Sequence, residues 1–380
     1  MILRKINYAF TFLSFLFLYV FTPEVKAQDA GDVSENPYSV VGRIHYGFLL
    51  AHHDRVRHLV RHTIGYEVSF SRQTSGDKMW QQYFNYPQTG YSYIYLDFNR
   101  PEQLGNAHAL IAFLNLPFAR SDFFQLSFRM GAGLGYLTKK YDRVENYKND
   151  VIGSHINAAI QFNLESRYKI SNHLLFNFNI GLTHFSNGSY QTPNLGINNV
   201  SANAGVTYQV EPVTKYKKND FNSVDRRLQL DVLYAAGLKE LSTPTGKKYG
   251  AHTLSATALR AVSHKIRLGI GADVFYDLSL KEGFRRLLEP VDNDAKIIRS
   301  GIHFDNELMI EKLAILFQVG CYWLDQYKDD GAVYNRVGFK YRVNHHLFVN
   351  LTLKTHFAKA DYTEVGLGWK FGKAIDTWKQ

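Results

Sequence analysis

The chain is predicted to be all-β, a transmembrane antiparallel β-barrel of about sixteen strands, with fourteen as the even-numbered alternative. Three observations carry this expectation. The chain starts with an export signal, and long segments alternate apolar with polar residues. After the signal, no stretch holds the roughly 18 unbroken apolar residues that a spanning helix needs.

Arg4 and Lys5 make the start positive, residues 9–21 are apolar, and Val25-Lys26-Ala27 has the small-residue pattern of a cleavage site. Residues 1–27 are therefore expected to be a signal peptide, and the mature chain to begin near Gln28. Cys321 is the single cysteine, which leaves neither an internal disulfide nor a lipoprotein anchor after the apolar stretch. A composition of 25 Tyr, 27 Phe and 28 Gly against 9 Pro suits many strands, close backbone packing and aromatic girdles. The net charge of +10 suits an anionic surface such as phosphorylated lipid, and equally ordinary solvated loops. No nucleic acid partner is expected for an exported chain.

The alternation is clearest where Phe124, Leu126, Phe128, Met130, Ala132, Leu134 and Tyr136 interleave with Gln125, Ser127, Arg129, Gly131, Gly133 and Gly135. One face is greasy and the other polar or glycine, as a lipid-facing barrel strand requires. Ile156, Ala158, Ile160, Phe162 and Leu164 against Asn157, Gln161, Asn163 and Glu165 repeat the pattern, as do Ile266, Leu268, Ile270, Ala272 and Val274 against Arg267, Gly269, Gly271 and Asp273. Strands are expected to start near Ser39, Thr63, Ser92, Ala107, Phe123, His155, Leu174 and Asn199. A second set is expected near Arg227, Ala251, Lys265, Ser300, Leu313, Val333, Leu347 and Tyr362. The segment from Ser92 to Phe98 shows the pattern least clearly. The final segment turns Val365, Leu367, Trp369 and Phe371 to lipid, as a barrel assembly signal should.

Periplasmic turns are short and outer loops long. Residues 119–122 and 170–173 are short turns and residues 139–154 and 187–198 long loops, so the strand from Leu174 runs outward. Residues 211–225 are charged and unpatterned, and are expected to be a periplasmic connector between an eight-strand unit, 28–210, and an additional one, 226–380. These strands can close as one barrel or as two eight-stranded units. One barrel is the expectation, because tandem barrels in one outer-membrane chain are uncommon.

On the strand from Leu174, the positions Leu174, Phe176, Phe178, Ile180 and Leu182 face lipid, and the pleat puts His184 and Ser186 on the same side. A polar cap on a strand end would account for them. So would a nucleophile and its base, since an imidazole within reach can take the proton of a serine hydroxyl. Asn198 falls on the lipid side of the next strand, where its side-chain oxygen can accept from the imidazole.

His184-Phe185-Ser186-Asn187, followed by Gln191, Pro193-Asn194 and Gly196-Ile197, resembles the outer-membrane lipid A 3-O-deacylases, also known as acyloxyacyl hydrolases. The resemblance is good over residues 104–210, vaguer over 39–100, and not found beyond Asp225. It implies an esterase on the outside of an eight-stranded barrel, with Ser186 attacking an acyl ester of lipid A and His184 as general base. It implies lipid A or lipopolysaccharide of the outer leaflet as partner, a location in the outer membrane, and no metal or organic cofactor. It also implies an oxyanion site built from backbone N–H groups after Ser186, around Asn187, Gly188 and Asn194. Two positions depart from the family. Its triad acid is a Glu where this chain has Asn198, and the glycine expected at Ser189 is displaced to Gly188. An Asn can orient a His but adds no negative charge. The alternative function is a catalytically silent barrel serving as a channel or structural protein.

Other features compete for attention. With an offset of 172, seven of the fifteen residues from Asn172 to Ser186 recur, including Thr355-His356-Phe357, which suggests a duplicated unit. There Leu347, Val349, Leu351 and Leu353 form the apolar face, so His356 should point inward, and Ala358 replaces the serine; no second active centre is expected. His52, His53, Asp54, Arg55, Arg57, His58, Arg61 and His62 crowd the first outer loop. His58 and His62 have metal spacing but no third ligand, so phosphate contact or plain solvation is expected there. Arg129, Glu165, Arg167, Arg267 and Asp273 face inward, where they can plug the barrels or line a pore.

Overall fold

The computed structural model describes residues 37–372 apart from 212–215, 219, 221–222, 242–245, 290, 292 and 358. The expected signal peptide, Ala358 and part of the expected connector lie outside the described residues. Sixteen strands are found among the described residues, in two closed barrels of eight. The first barrel consists of β1 (Tyr38–Leu49), β2 (His62–Gln73), β3 (Gln88–Asp97), β4 (Asn106–Arg120), β5 (Phe124–Leu137), β6 (Ile156–Lys169), β7 (Leu174–Ser186) and β8 (Ile197–Gln209). The second consists of β9 (Gln229–Lys239), β10 (Tyr249–Ala261), β11 (Ile266–Asp277), β12 (Ile298–Ile310), β13 (Leu313–Leu324), β14 (Val333–Arg342), β15 (Leu347–His356) and β16 (Lys359–Phe371). In each, consecutive strands pair antiparallel and the last returns to the first.

The expectation of a single barrel is therefore corrected. The reason lies in β1, which pairs with β8 along its length, from Ser39 opposite Gln209 to Leu49 opposite Asn199. Once that pairing forms, the first eight strands have no free edge left for β9. In the second barrel β9 takes β10 on one side and β16 on the other.

The pleat sorts the side chains as the alternation demands. On β1, Val40, Ile44, Tyr46 and Phe48 are exposed, while Arg43 and His45 are buried. Eight strands enclose a lumen about wide enough for side chains to fill, and here ion pairs fill it. In the first barrel Glu67 receives Arg43 and Arg129, each at 2.6 Å, and His45 at 3.1 Å. Glu165 receives Arg43 at 2.7 Å, Arg167, and the Asn115 amide at 2.7 Å. In the second barrel Asp273 accepts from Tyr334 at 2.6 Å and pairs with His303 at 2.7 Å, while Arg336 bonds Glu364 at 2.6 Å. The inward charges thus form plugs rather than a pore lining. Each ion is desolvated and depends on its partners.

Both ends of the first barrel are closed differently. At the end carrying the long loops, Leu49, Val56, Leu59, Phe98, Leu104, Val151, Phe185 and Ile197 belong to one apolar cluster inside the mouth. Val56 and Leu59 come from a short 3-10 turn, Asp54–Leu59, whose buried residues pin the basic loop down. At the opposite end the turns after β4 and β6 are short, but residues 74–87 between β2 and β3 are not. They carry the helix Met79–Tyr83 and bury Trp80, Tyr83, Phe84 and Tyr86. The second barrel has a helix, Ser279–Arg286, after β11, with Leu280 and Phe284 packed on Ile297. Among the described residues no helix is long and apolar enough to cross a membrane.

Candidate active site

The site grows from the pairing of β7 with β8. In an antiparallel pair, side chains directly opposite one another have Cβ atoms about 4.5–5.5 Å apart, and His184 lies directly opposite Asn198. The His184 Nδ1–H donates to Asn198 Oδ1 at 2.6 Å. Both residues share the parity of the exposed Phe176, Phe178 and Ile180, as does Ser186 two residues further along β7. Between them Phe185 points inward, is fully buried, and meets Phe98 edge-on at 6.3 Å. That anchor holds the strand end rigid, so two neighbouring polar side chains stand on a packed support rather than on a loop.

Ser186 is held from the following loop. The Asn194 amide donates to Ser186 Oγ at 3.0 Å, and Asn194 Oδ1 accepts from the Asn187 backbone N–H at 3.0 Å. Asn187 sends its own amide to Ser154 Oγ at 2.8 Å. Gly188 and Ser189 are both left-handed, with φ of +62° and +65°. The displaced glycine thus has a physical meaning: two successive positions ask for positive φ, and here only the first is glycine. On β6, Ala158 lies opposite Ser186 and Ile160 opposite His184, leaving an apolar flank with little bulk beside the hydroxyl.

Two further residues complete the site, Gly196 from the motif and His52 from the basic first loop. Gly196, at φ +79°, lies against the His184 ring, and a Cβ there would fall 2.8 Å from Cε1. His52 reaches Asn198 from the first loop: the Asn198 amide donates to His52 Nδ1 at 3.1 Å, and His52 Nε2–H donates to the Leu195 carbonyl at 2.9 Å. The closure of β1 on β8 delivers it, since the Leu50 N–H continues the ladder to the Asn198 carbonyl at 2.8 Å. The other loop histidines go elsewhere. His58 bonds the Lys148 carbonyl at 2.9 Å and His62 stacks on Tyr46 at 5.5 Å, so the two residues with metal spacing serve separate partners.

The repeat in the second barrel is placed on the corresponding seventh strand, β15, with opposite parity. His356 is buried and accepts from or donates to Tyr322 Oη at 2.9 Å inside the barrel. A one-residue slip between the two repeats moves every side chain to the other face.

Residues 64–207 match the family model of lipid A 3-O-deacylase (PagL), which includes the whole His184 to Asn198 stretch. Residues 228–373 match a second model, acyloxyacyl hydrolase, C-terminal domain, so the likeness extends into the half where the sequence reading found none. Among solved structures, the outer membrane enzyme PagL is 16% identical, with 43% of this chain and 97% of that chain covered at a TM-score of 0.32. Neisserial surface protein A is 8% identical, with 47% and 99% covered at a TM-score of 0.34. No curated protein matches the chain.

Proposed function

We propose that the chain is an outer-membrane esterase that removes an ester-linked acyl chain from lipid A, with Ser186 as nucleophile and His184 as base. The observation that carries this is the 2.6 Å bond from His184 Nδ1 to Asn198 Oδ1. A proton fixed on Nδ1 leaves the lone pair on Nε2, the tautomer a general base needs. The serine sits two residues along the same face, and apo geometry commonly tightens only when substrate binds. The match of residues 64–207 to the lipid A 3-O-deacylase model supports the choice of substrate.

In this mechanism lipid A slides within the outer leaflet until an acyl ester meets the outward face of β7. Ser186 Oγ attacks the carbonyl carbon while His184 Nε2 takes the hydroxyl proton. The oxyanion is met by N–H donors from the Asn187 to Asn194 loop, with the Asn194 amide already at Ser186 Oγ. The bond to the sugar oxygen then breaks, and His184 returns its proton to that oxygen. Water, deprotonated by His184, attacks the acyl-serine and releases the fatty acid. Asn198 orients the imidazole but supplies no countercharge. A neutral hydrogen bond is weaker than a charge-assisted one by about 1 to 1.5 kcal/mol, so roughly tenfold slower turnover is expected than with a carboxylate.

The first barrel is the catalytic unit, and β9–β16 form an additional unit of the same architecture, with no second active centre among the described residues. The test is to express the full chain in a Gram-negative host and weigh its lipid A. Loss of one hydroxyacyl chain with wild type, and its retention with Ser186→Ala, is the expected pair of results. An unchanged mass with folded wild type in the outer membrane overturns the assignment.

A further inference from the structure

We propose that His52 is a positioning residue that sets the tautomer of His184 through Asn198, and that its protonation switches the site off. The inference rests on the esterase reading for its consequence, but its geometry stands separately. Each link forces the next. The Leu195 carbonyl can only accept, so His52 Nε2 carries a proton; the bond is 2.9 Å. A neutral His52 then has its lone pair on Nδ1, and of the two groups facing that nitrogen the Asn198 amide, a donor at 3.1 Å, is nearer than the Leu50 carbonyl at 3.3 Å. With its nitrogen committed, Asn198 turns its oxygen to His184 at 2.6 Å, which holds the proton on Nδ1 and the lone pair on Nε2. Such a chain polarises along its length, so the oxygen becomes a better acceptor than an isolated amide.

Protonation of His52 reverses the logic. An Nδ1–H can no longer accept from Asn198, and it has the Leu50 carbonyl at 3.3 Å as one partner. The amide satisfies it best by rotating half a turn, presenting oxygen to His52 and NH2 to His184. His184 must then accept on Nδ1 and carry its proton on Nε2, where it cannot take one from Ser186.

The groups around His52 bear on its titration. From β7 it meets His184, and from β8 and the loop before it the neutral Asn198 and Leu195. Its own loop supplies His53, Asp54, Arg55 and Arg57; Arg55 is paired with Asp150 at 3.0 Å and Arg57 with Asp54 at 3.0 Å. These pairs cancel most of the loop's charge.

The pH dependence separates this from a structural role. Neutral His184 and neutral His52 are both required, so activity is full at alkaline pH and falls as pH drops through both titrations. The acid limb of kcat/KM for the wild type steepens to two protons. His52→Gln retains an acceptor for Asn198 and a donor for Leu195 without a titrating group. It should keep the alkaline plateau within about twofold and show a one-proton limb. His52→Ala releases the amide and should lower the plateau roughly fivefold to tenfold. An acid limb that is the same in wild type and His52→Gln, or an unchanged plateau in His52→Ala, overturns the proposal. Imidazole 15N spectra of the protein in micelles give the same test without turnover. The His184 proton should move from Nδ1 to Nε2 as His52 protonates in wild type and not in His52→Gln. A His184 tautomer that ignores His52 overturns the relay, whereas a correct relay in a protein that leaves lipid A intact overturns only the esterase.

Discussion

Gly196→Ala is the sharpest perturbation of the site that leaves its polar groups in place. The added methyl would lie 2.8 Å from His184 Cε1 and 3.2 Å from the Phe185 carbonyl oxygen. Carbon atoms in ordinary contact are about 3.5–4.0 Å apart, so the ring must retreat by roughly 0.7 to 1.2 Å. It cannot retreat freely, because its Nδ1–H is bound to Asn198 at 2.6 Å. Moving a reacting group by about 1 Å costs on the order of a hundredfold. Separately, an L-residue at φ +79° is strained by roughly 1–2 kcal/mol, which should appear as lowered stability. The assay is kcat/KM on lipid A in mixed micelles at alkaline pH, with heat-modifiable migration as the check for a folded barrel. A folded Gly196→Ala protein with wild-type kcat/KM would refute the reasoning, since it would mean that the imidazole position is irrelevant to turnover.

Two further outcomes follow from other parts of the structure. Asn198→Asp replaces a neutral acceptor with a carboxylate and should raise kcat/KM about tenfold; a fall would show that countercharge is not what the site lacks. Glu67→Gln removes the carboxylate on which Arg43, Arg129 and His45 converge and should destabilise the first barrel by about 3–5 kcal/mol in urea unfolding from micelles. A change below about 1 kcal/mol would mean that the plug is not structural.

What could be read from the sequence was whatever depends on local period. β5 and β6 announce themselves because Phe124 to Tyr136 and Ile156 to Leu164 alternate without interruption. The positions of His184, Ser186 and Asn198 on one face followed from the same pleat, and the structure adds the bond between the first and the last. β3 was blurred because it begins at Gln88, straight after the helical connection that closes that end of the barrel. Long-range pairing was invisible. Whether sixteen strands make one barrel or two depends on β1 reaching β8, and no local pattern encodes which edge a strand will find. His52 was hidden for the same reason: 146 residues separate it from Asn198, and barrel closure alone brings them together. Among neighbouring histidines and arginines it looked like part of a solvated basic loop. Gly196 was legible as a member of the motif, but its role was not, because its demand comes from the ring packed against it.

The proposed esterase requires above all that Ser186 be an activated nucleophile. A lipid-like activated phosphonate ester, incubated with the purified full chain in micelles and followed by peptide mass, should label Ser186 stoichiometrically in wild type. Labelling should disappear in Ser186→Ala and fall by orders of magnitude in His184→Ala. Folded wild type that remains unlabelled at Ser186, or that labels equally well without His184, would contradict it.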